Sequence, residues 1–211
     1  MCHALLQDAS LYDRLLTIDQ ALAAEARAAG CRLCGGRLHS ARYPRKPRGG
    51  PDTLGPGYAT RLSFCCAAEG CRRRTTPPSV RYLGRRVYLG AVVVLVTALT
   101  SGLTPRRVAQ VRALIGVSGR TLTRWRMWWR EDFVGTAFWQ AAKGRFLPPV
   151  AAPALPASLL LRFAGDTARP RLVHTLQFLA PLTVRAADCA GLAMPSGAPQ
   201  TMRLAPRHPR S

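Results

Sequence analysis

The sequence predicts a mainly α-helical protein with one small β module held together by bound metal. Three observations lead there. Apolar residues recur at helical spacing over residues 11–29, and again three times between 85 and 135. Residues 31–80 lack that pattern and are dense in Gly, Pro and Arg, with little to bury. The same stretch holds two cysteine pairs, the external staple that so apolar-poor a segment needs. The chain then divides into an N-terminal helix (1–30), a metal-stapled β module (31–80), a three-helix domain (85–135), a Pro/Ala-rich region (144–185) and a tail (186–211) with too little apolar surface to order.

In the first helix, Leu11, Leu15, Leu16, Ile18, Leu22 and Ala23 form the apolar stripe, with Tyr12 at its edge. Gly30 follows as a helix-ending glycine. In the β module the one strand-like piece is Tyr58 to Cys66, and the run Tyr43 to Pro51 is too rich in Pro and Gly to be helical. In the three-helix domain the first helix, roughly Arg86 to Thr100, is apolar nearly all round and reads as buried. The second starts with Thr104 as cap and Pro105 at the first helical position, and Gly116 stops it. The third is capped by Ser118 and runs to about Glu131 or Asp132. After Lys143, Leu159 to Phe163 and Leu172 to Leu182 read as a docking helix and strand for a protein partner.

Composition narrows the partners. Of 31 basic residues 29 are Arg, against 10 acidic residues, for a net charge of +21. A GC-rich genome accounts for Arg over Lys but not for so few acids, so the charge calls for a polyanionic partner. A membrane is disfavoured. The most apolar run, Leu89 to Leu99, is about half the ~20 residues needed to span a bilayer. The N-terminus carries no secretory pattern, so the expected location is the bacterial cytoplasm, at the nucleoid, with the seven cysteines reduced.

Cys31-x-x-Cys34 and Cys66-x4-Cys71 suit a tetrahedral Zn²⁺ site, because a two-residue gap lets one tight turn present two sulfurs to one ion. Gly35 and Gly36 allow the backbone to turn its amides toward those sulfurs, and Arg32 and Arg72 to Arg74 add positive charge. Cys65 adjoins Cys66. Strand neighbours point to opposite faces, so only one of them faces the metal, and Cys66 is preferred. His39 is placed in the hairpin rather than among the ligands. A redox C-x-x-C is disfavoured because no βαβ pattern surrounds Cys31. Cys2 and Cys189 have no partner spacing.

The short connection Gly116-Val117-Ser118 between two helices is that of a helix-turn-helix. On the third helix Leu122, Trp125, Trp129 and Phe133 face inward, while Arg120, Thr123, Arg124 and Met127 face out, flanked by Arg126 and Arg130. Arg106, Arg107 and Arg112 on the preceding helix add to that charge. The expected DNA contacts are Arg106, Arg107, Arg120, Thr123, Arg124, Arg126 and Arg130, with double-stranded DNA as partner. A solvated Arg face over a Trp core is the plainer alternative.

The stretch from Leu114 to Trp125 resembles the turn and recognition helix of helix-turn-helix domains in bacterial transposases. Cys31 to Gly36 and Cys71 to Pro78 resemble the N-terminal zinc ribbon of insertion-sequence transposases. The resemblance covers residues 31–133, about half the chain. It implies a zinc ribbon over 31–80 and a helix-turn-helix over 85–135 that together recognise DNA ends. Two departures qualify it. Arg112 occupies the place of a small residue under the turn. The catalytic domain with three carboxylates is missing, since only Asp166 and Asp188 follow Glu131 and Asp132. The expectation is therefore a non-enzymatic, transposase-related recognition or accessory protein of a mobile element. A transcription regulator built from the same modules is the alternative, and an RNA-binding protein the second.

Overall fold

The structure, a computed structural model, describes residues 2–83, 86–100 and 104–184, without the side chains of Cys2, His3, Arg107 and Leu114. Arg85, Gly102 and the expected tail 186–211, with Asp188 and Cys189, lie outside the described residues.

The N-terminal helix comes in two parts. A short α1 (Cys2–Leu6) precedes α2 (Ala9–Ala28). Asp8 separates them, its carboxylate accepting from the Ser10 amide at 3.0 Å as the N-cap of α2. Tyr12 is fully buried, and its hydroxyl donates to the Leu6 carbonyl at 2.9 Å, which fixes α1 against α2.

Five short strands follow: β1 (Leu38–Ser40), β2 (Tyr43–Pro44), β3 (Thr60–Arg61), β4 (Phe64–Cys66) and β5 (Arg74–Thr75). All pairings are antiparallel, with β4 central between β1 and β5, and β2 paired to β3. The single strand expected from Tyr58 to Cys66 is therefore corrected. Pro56–Ala59 forms one 3₁₀ turn, with Pro56 opening it, and the strand is split into β3 and β4.

Helix α3 (Gly90–Thr100) is the centre of the molecule. Ala91, Val92, Val93, Val94 and Val96 are completely buried, and α1, α4 (Pro105–Ile115), α5 (Gly119–Met127), α8 (Ala157–Leu160) and α9 (Ala168–Leu179) all pack against it. Its start is four residues later than the sequence pattern suggests. Residues 86–89 are extended because they bridge other backbone: Arg48 pairs with Tyr88, and Tyr82 with Leu89. Among the described residues no helix is long and apolar enough to cross a membrane. Beyond α5 the chain continues through a π-helical turn (Trp128–Asp132), α6 (Phe133–Gly135) and α7 (Ala137–Ala142).

Residues 144–184 do not form a free arm. Leu155, Leu159, Leu172 and Leu176 are buried in the same core as α3, and Phe146 packs its ring against Phe163 and Phe178. The docking strand expected over Leu172 to Leu182 is instead α9 followed by a 3₁₀ turn, Ala180–Thr183. The reason is coverage: Leu172, Val173, Leu176 and Leu179 are all buried, at helical spacing.

Among the described residues there are two cores. The large one joins the first half of α2, α3 and the buried apolar side chains between Val117 and Ala180. The small one holds Ala23, Cys31, Leu38, Phe64 and Cys66. A buried ion pair ties them together: Arg81 Nε donates to Asp19 at 2.7 Å, with both side chains wholly buried. Asp19 also accepts from the Val80 amide and the Ser79 hydroxyl, and Arg81 donates to the carbonyls of Gly57 and Thr60. The pair is thus fully hydrogen-bonded, the condition under which burying two charges is tolerated.

Candidate functional site

Two features bear chemistry, and the small β module builds the first. Cys31 follows Gly30 at the end of α2, Cys34 sits on the tight turn after it, Cys66 ends β4, and Cys71 lies on the turn toward β5. The turn is closed by backbone bonds: the Gly35 amide donates to the Cys31 carbonyl at 2.7 Å, and the Cys31 amide to the Gly36 carbonyl at 2.9 Å. The four sulfurs all lie within 4.8 Å of one another. Cys31 and Cys71 are 3.7 Å apart, and Cys34 and Cys66 3.4 Å. Metal–sulfur bonds of ~2.3 Å in a tetrahedron require sulfur–sulfur edges of about 3.8 Å, so these residues can hold a metal ion.

The amides around the sulfurs favour the same outcome. Those of Cys34 and Leu33 point at the Cys31 sulfur and hold its thiol down to about 7. The Gly36 amide serves Cys34, the Ala68 amide Cys66 and the Arg73 amide Cys71, each favouring the thiolate. Hydrogen bonds among the crowded thiols, together with desolvation, nevertheless push those three thiols above their ordinary value. Four sulfurs this close cannot all ionise beside one another without a cation between them. Gly36 is required by space: a Cβ there would lie 3.1 Å from the Cys66 sulfur and 3.2 Å from that of Cys34.

The choice between Cys65 and Cys66 is settled by strand alternation. Cys66 is buried in the cluster, whereas Cys65 turns away and its thiol donates to the Arg72 carbonyl at 3.3 Å. His39 lies on β1 opposite Cys65, exposed and outside the cluster. The described residues thus bring all four expected ligands together.

The second feature is the outer face of α5. Ser118 accepts from the Thr121 amide at 3.2 Å as N-cap. Thr104, the cap expected for α4, has cap geometry but makes no side-chain cap bond. Leu122, Trp125 and Trp129 are buried, and Trp128 is half-buried. The Tyr88 ring meets Trp125 edge-on, and its hydroxyl donates to the Gly116 carbonyl at 3.0 Å. This locks the helix and its turn onto the core. Arg120, Thr123, Arg124, Met127 and Arg130 are exposed, as is Arg106 on α4. The Arg107 side chain lies outside the described set. Arg126 is turned back, with its guanidinium donating to the Thr100 carbonyl at 2.6 Å.

Arg112 is explained by its neighbour. Its Nε donates to the Val117 carbonyl, and its guanidinium lies where a Cβ on residue 119 would be, 3.1 Å from that position. Gly119 leaves the room, so an Arg rather than a small residue closes the turn.

Sequence reasoning missed three residues with structural or electrostatic weight. Asp19 carried a signal, since it stands inside the apolar stripe four residues after Leu15 and four before Ala23. Arg81 and Arg86 carried none among 29 Arg residues. Arg86 stacks its guanidinium 4.3 Å from the centre of the Trp128 ring. No protein-family model, curated protein or solved structure matches the chain.

Proposed function

We propose that this chain is a DNA-binding protein of a mobile element, a transposase-related recognition or accessory protein. In this reading a zinc ribbon organises residues 31–80, and a helix-turn-helix spanning α3 to α5 engages duplex DNA. One observation carries it. Arg120, Thr123 and Arg124 are exposed on one side of a helix whose other side is fixed by buried Leu122 and Trp125, with Trp129 buried just beyond its end, and Arg124 reaches back only to the Thr121 hydroxyl at 3.5 Å. A helix so anchored presents its cations as a rigid unit, which a major groove requires. Zinc is the metal that best matches a four-thiolate donor set, and the amides on the sulfurs offset the charge it leaves. The net charge of +21 supports a polyanionic partner. The reading assigns the chain recognition and no catalytic step.

The test is binding of fluorescent mixed-sequence duplex across a salt series. Affinity should fall steeply between low and moderate salt. Changing Arg120 and Arg124 to Gln together should weaken duplex binding by about tenfold or more, since each base or phosphate contact contributes roughly 1–3 kcal/mol. Flat salt dependence, or an unchanged double variant, would end the proposal. Structured RNA that outcompetes duplex would transfer it to RNA. No structural feature favours a promoter over an element end, so the regulator reading is second.

A further inference from the structure

Beside the cysteine cluster, between α2 and the sheet, runs an open groove of about 880 Å³. Three arginines from different segments line it: Arg27 from the last turn of α2, Arg37 just before β1 and Arg42 just after it. All three are exposed. Among the described residues that line it there is no carboxylate. Glu25, the nearest acid in sequence to Arg27, is not among the lining residues and lies about 140° round the helix from Gln20. On the helix wall Ala23, Ala24 and Ala28 leave room between the longer Leu16, Gln20 and Arg27. Leu16 and Leu62 give it a partly exposed apolar surface, and Gln20 and Ser40 give it polar edges.

Three like charges around one concave surface repel one another, and no carboxylate among the described lining residues offsets them, so a bound anion stabilises the arrangement. The groove is too small for a duplex, a convex rod that carries its phosphates outside. Its volume lies within the ~300–1,000 Å³ range of sites that enclose their ligand. Proteins that hold single strands without reading sequence line a groove with cations that track the phosphates; here the partly exposed Leu16 and Leu62 offer apolar surface to sugars and bases in the place of exposed aromatic rings.

We infer that this groove binds a single nucleic-acid strand through Arg27, Arg37 and Arg42, separately from the duplex surface proposed for α5. It goes beyond the proposed function and does not depend on it. The sheet wall hangs on the cysteine cluster, since Leu38 is paired with Cys66. Any metal held there therefore also shapes the groove.

The test titrates the full-length, metal-loaded protein with fluorescent oligothymidylate and, in parallel, with mixed-sequence duplex. The triple variant Arg27→Gln, Arg37→Gln, Arg42→Gln should weaken oligothymidylate binding by about tenfold or more and shrink its log–log salt slope by about two. Duplex affinity should stay within about threefold. The double variant Ala24→Leu, Ala28→Leu narrows the groove without adding an aromatic ring and keeps every cation, and should weaken oligothymidylate binding by about threefold or more. Oligothymidylate binding that survives when Arg120 and Arg124 are changed to Gln supports the separate site, even if wild-type protein ignores duplex. An unchanged triple variant overturns the inference, and so does an Ala24→Leu, Ala28→Leu variant that binds like wild type, because charge without the groove would then suffice.

Discussion

At Cys65 and Cys66 a single peptide bond separates a sulfur placed to hold a metal ion from one that turns away. Strand alternation in the sequence says only that one of the two faces the cluster, with Cys66 preferred, and the buried Cys66 sulfur against the outward Cys65 thiol gives the physical basis. Cys66→Ser should abolish stoichiometric zinc in the purified protein, whereas Cys65→Ser should retain it, as read by elemental analysis. Gly36→Ala should lower metal affinity on the order of tenfold, because the added methyl presses on two sulfurs and moves the amide that serves one of them. A competition titration with a zinc-responsive dye reads this directly. Asp19 shows the opposite case, a residue whose importance was only faintly legible. Its place in an apolar stripe hints at burial, but its partner Arg81 is 62 residues away and looks like any other Arg. Asp19→Asn keeps the shape and strands a buried guanidinium, so it should cost about 3–5 kcal/mol of unfolding free energy. A denaturant midpoint equal to that of wild type would mean the pair contributes nothing.

Elements were legible where caps and periodicity agreed. Gly116 takes the left-handed conformation with φ +64° and ends α4, and Ser118 starts α5, both as the residue types dictate. The β module was legible only as a whole. Its strands are two or three residues long, too short for alternation to show. The start of α3 was misplaced because Arg86 to Leu89 has a helix-compatible composition, while bridges from Tyr88 to distant Arg48 and from Leu89 to nearby Tyr82 keep its end out of the helix. At this scale Ser118→Ala should cost about 1 kcal/mol through the lost cap on the Thr121 amide. Because the cap sits where α5 would meet phosphate, duplex affinity should fall along with stability. Thermal melting and duplex titration of the same variant check the two effects together, and a variant that melts and binds as wild type would remove Ser118 from both roles.

Across the whole molecule, the largest revision concerns residues 144–184. Their apolar stretches are short and interrupted by Pro, so locally they read as an arm awaiting a partner. In the fold the partner is the chain itself: Leu159 and Leu172 are fully buried, and α8 and α9 pack on each other and on α3. A local pattern cannot distinguish these cases, because both require the same apolar residues. The two readings part on truncation after Lys143. A dispensable arm would leave a folded, DNA-binding remainder. The packing predicts otherwise. Removing Leu155, Leu159, Leu172, Leu176 and Leu179 strips one side of α3, at roughly 1.5–3 kcal/mol for each buried side chain. The total approaches or exceeds the ~5–15 kcal/mol that stabilises a typical domain. Residues 1–143 alone should therefore show no cooperative thermal transition by calorimetry, and should expose the apolar face of α3 to a hydrophobic dye. A truncated chain that melts sharply near the wild-type temperature would return 144–184 to the status of an appendage and leave α3 needing another cover.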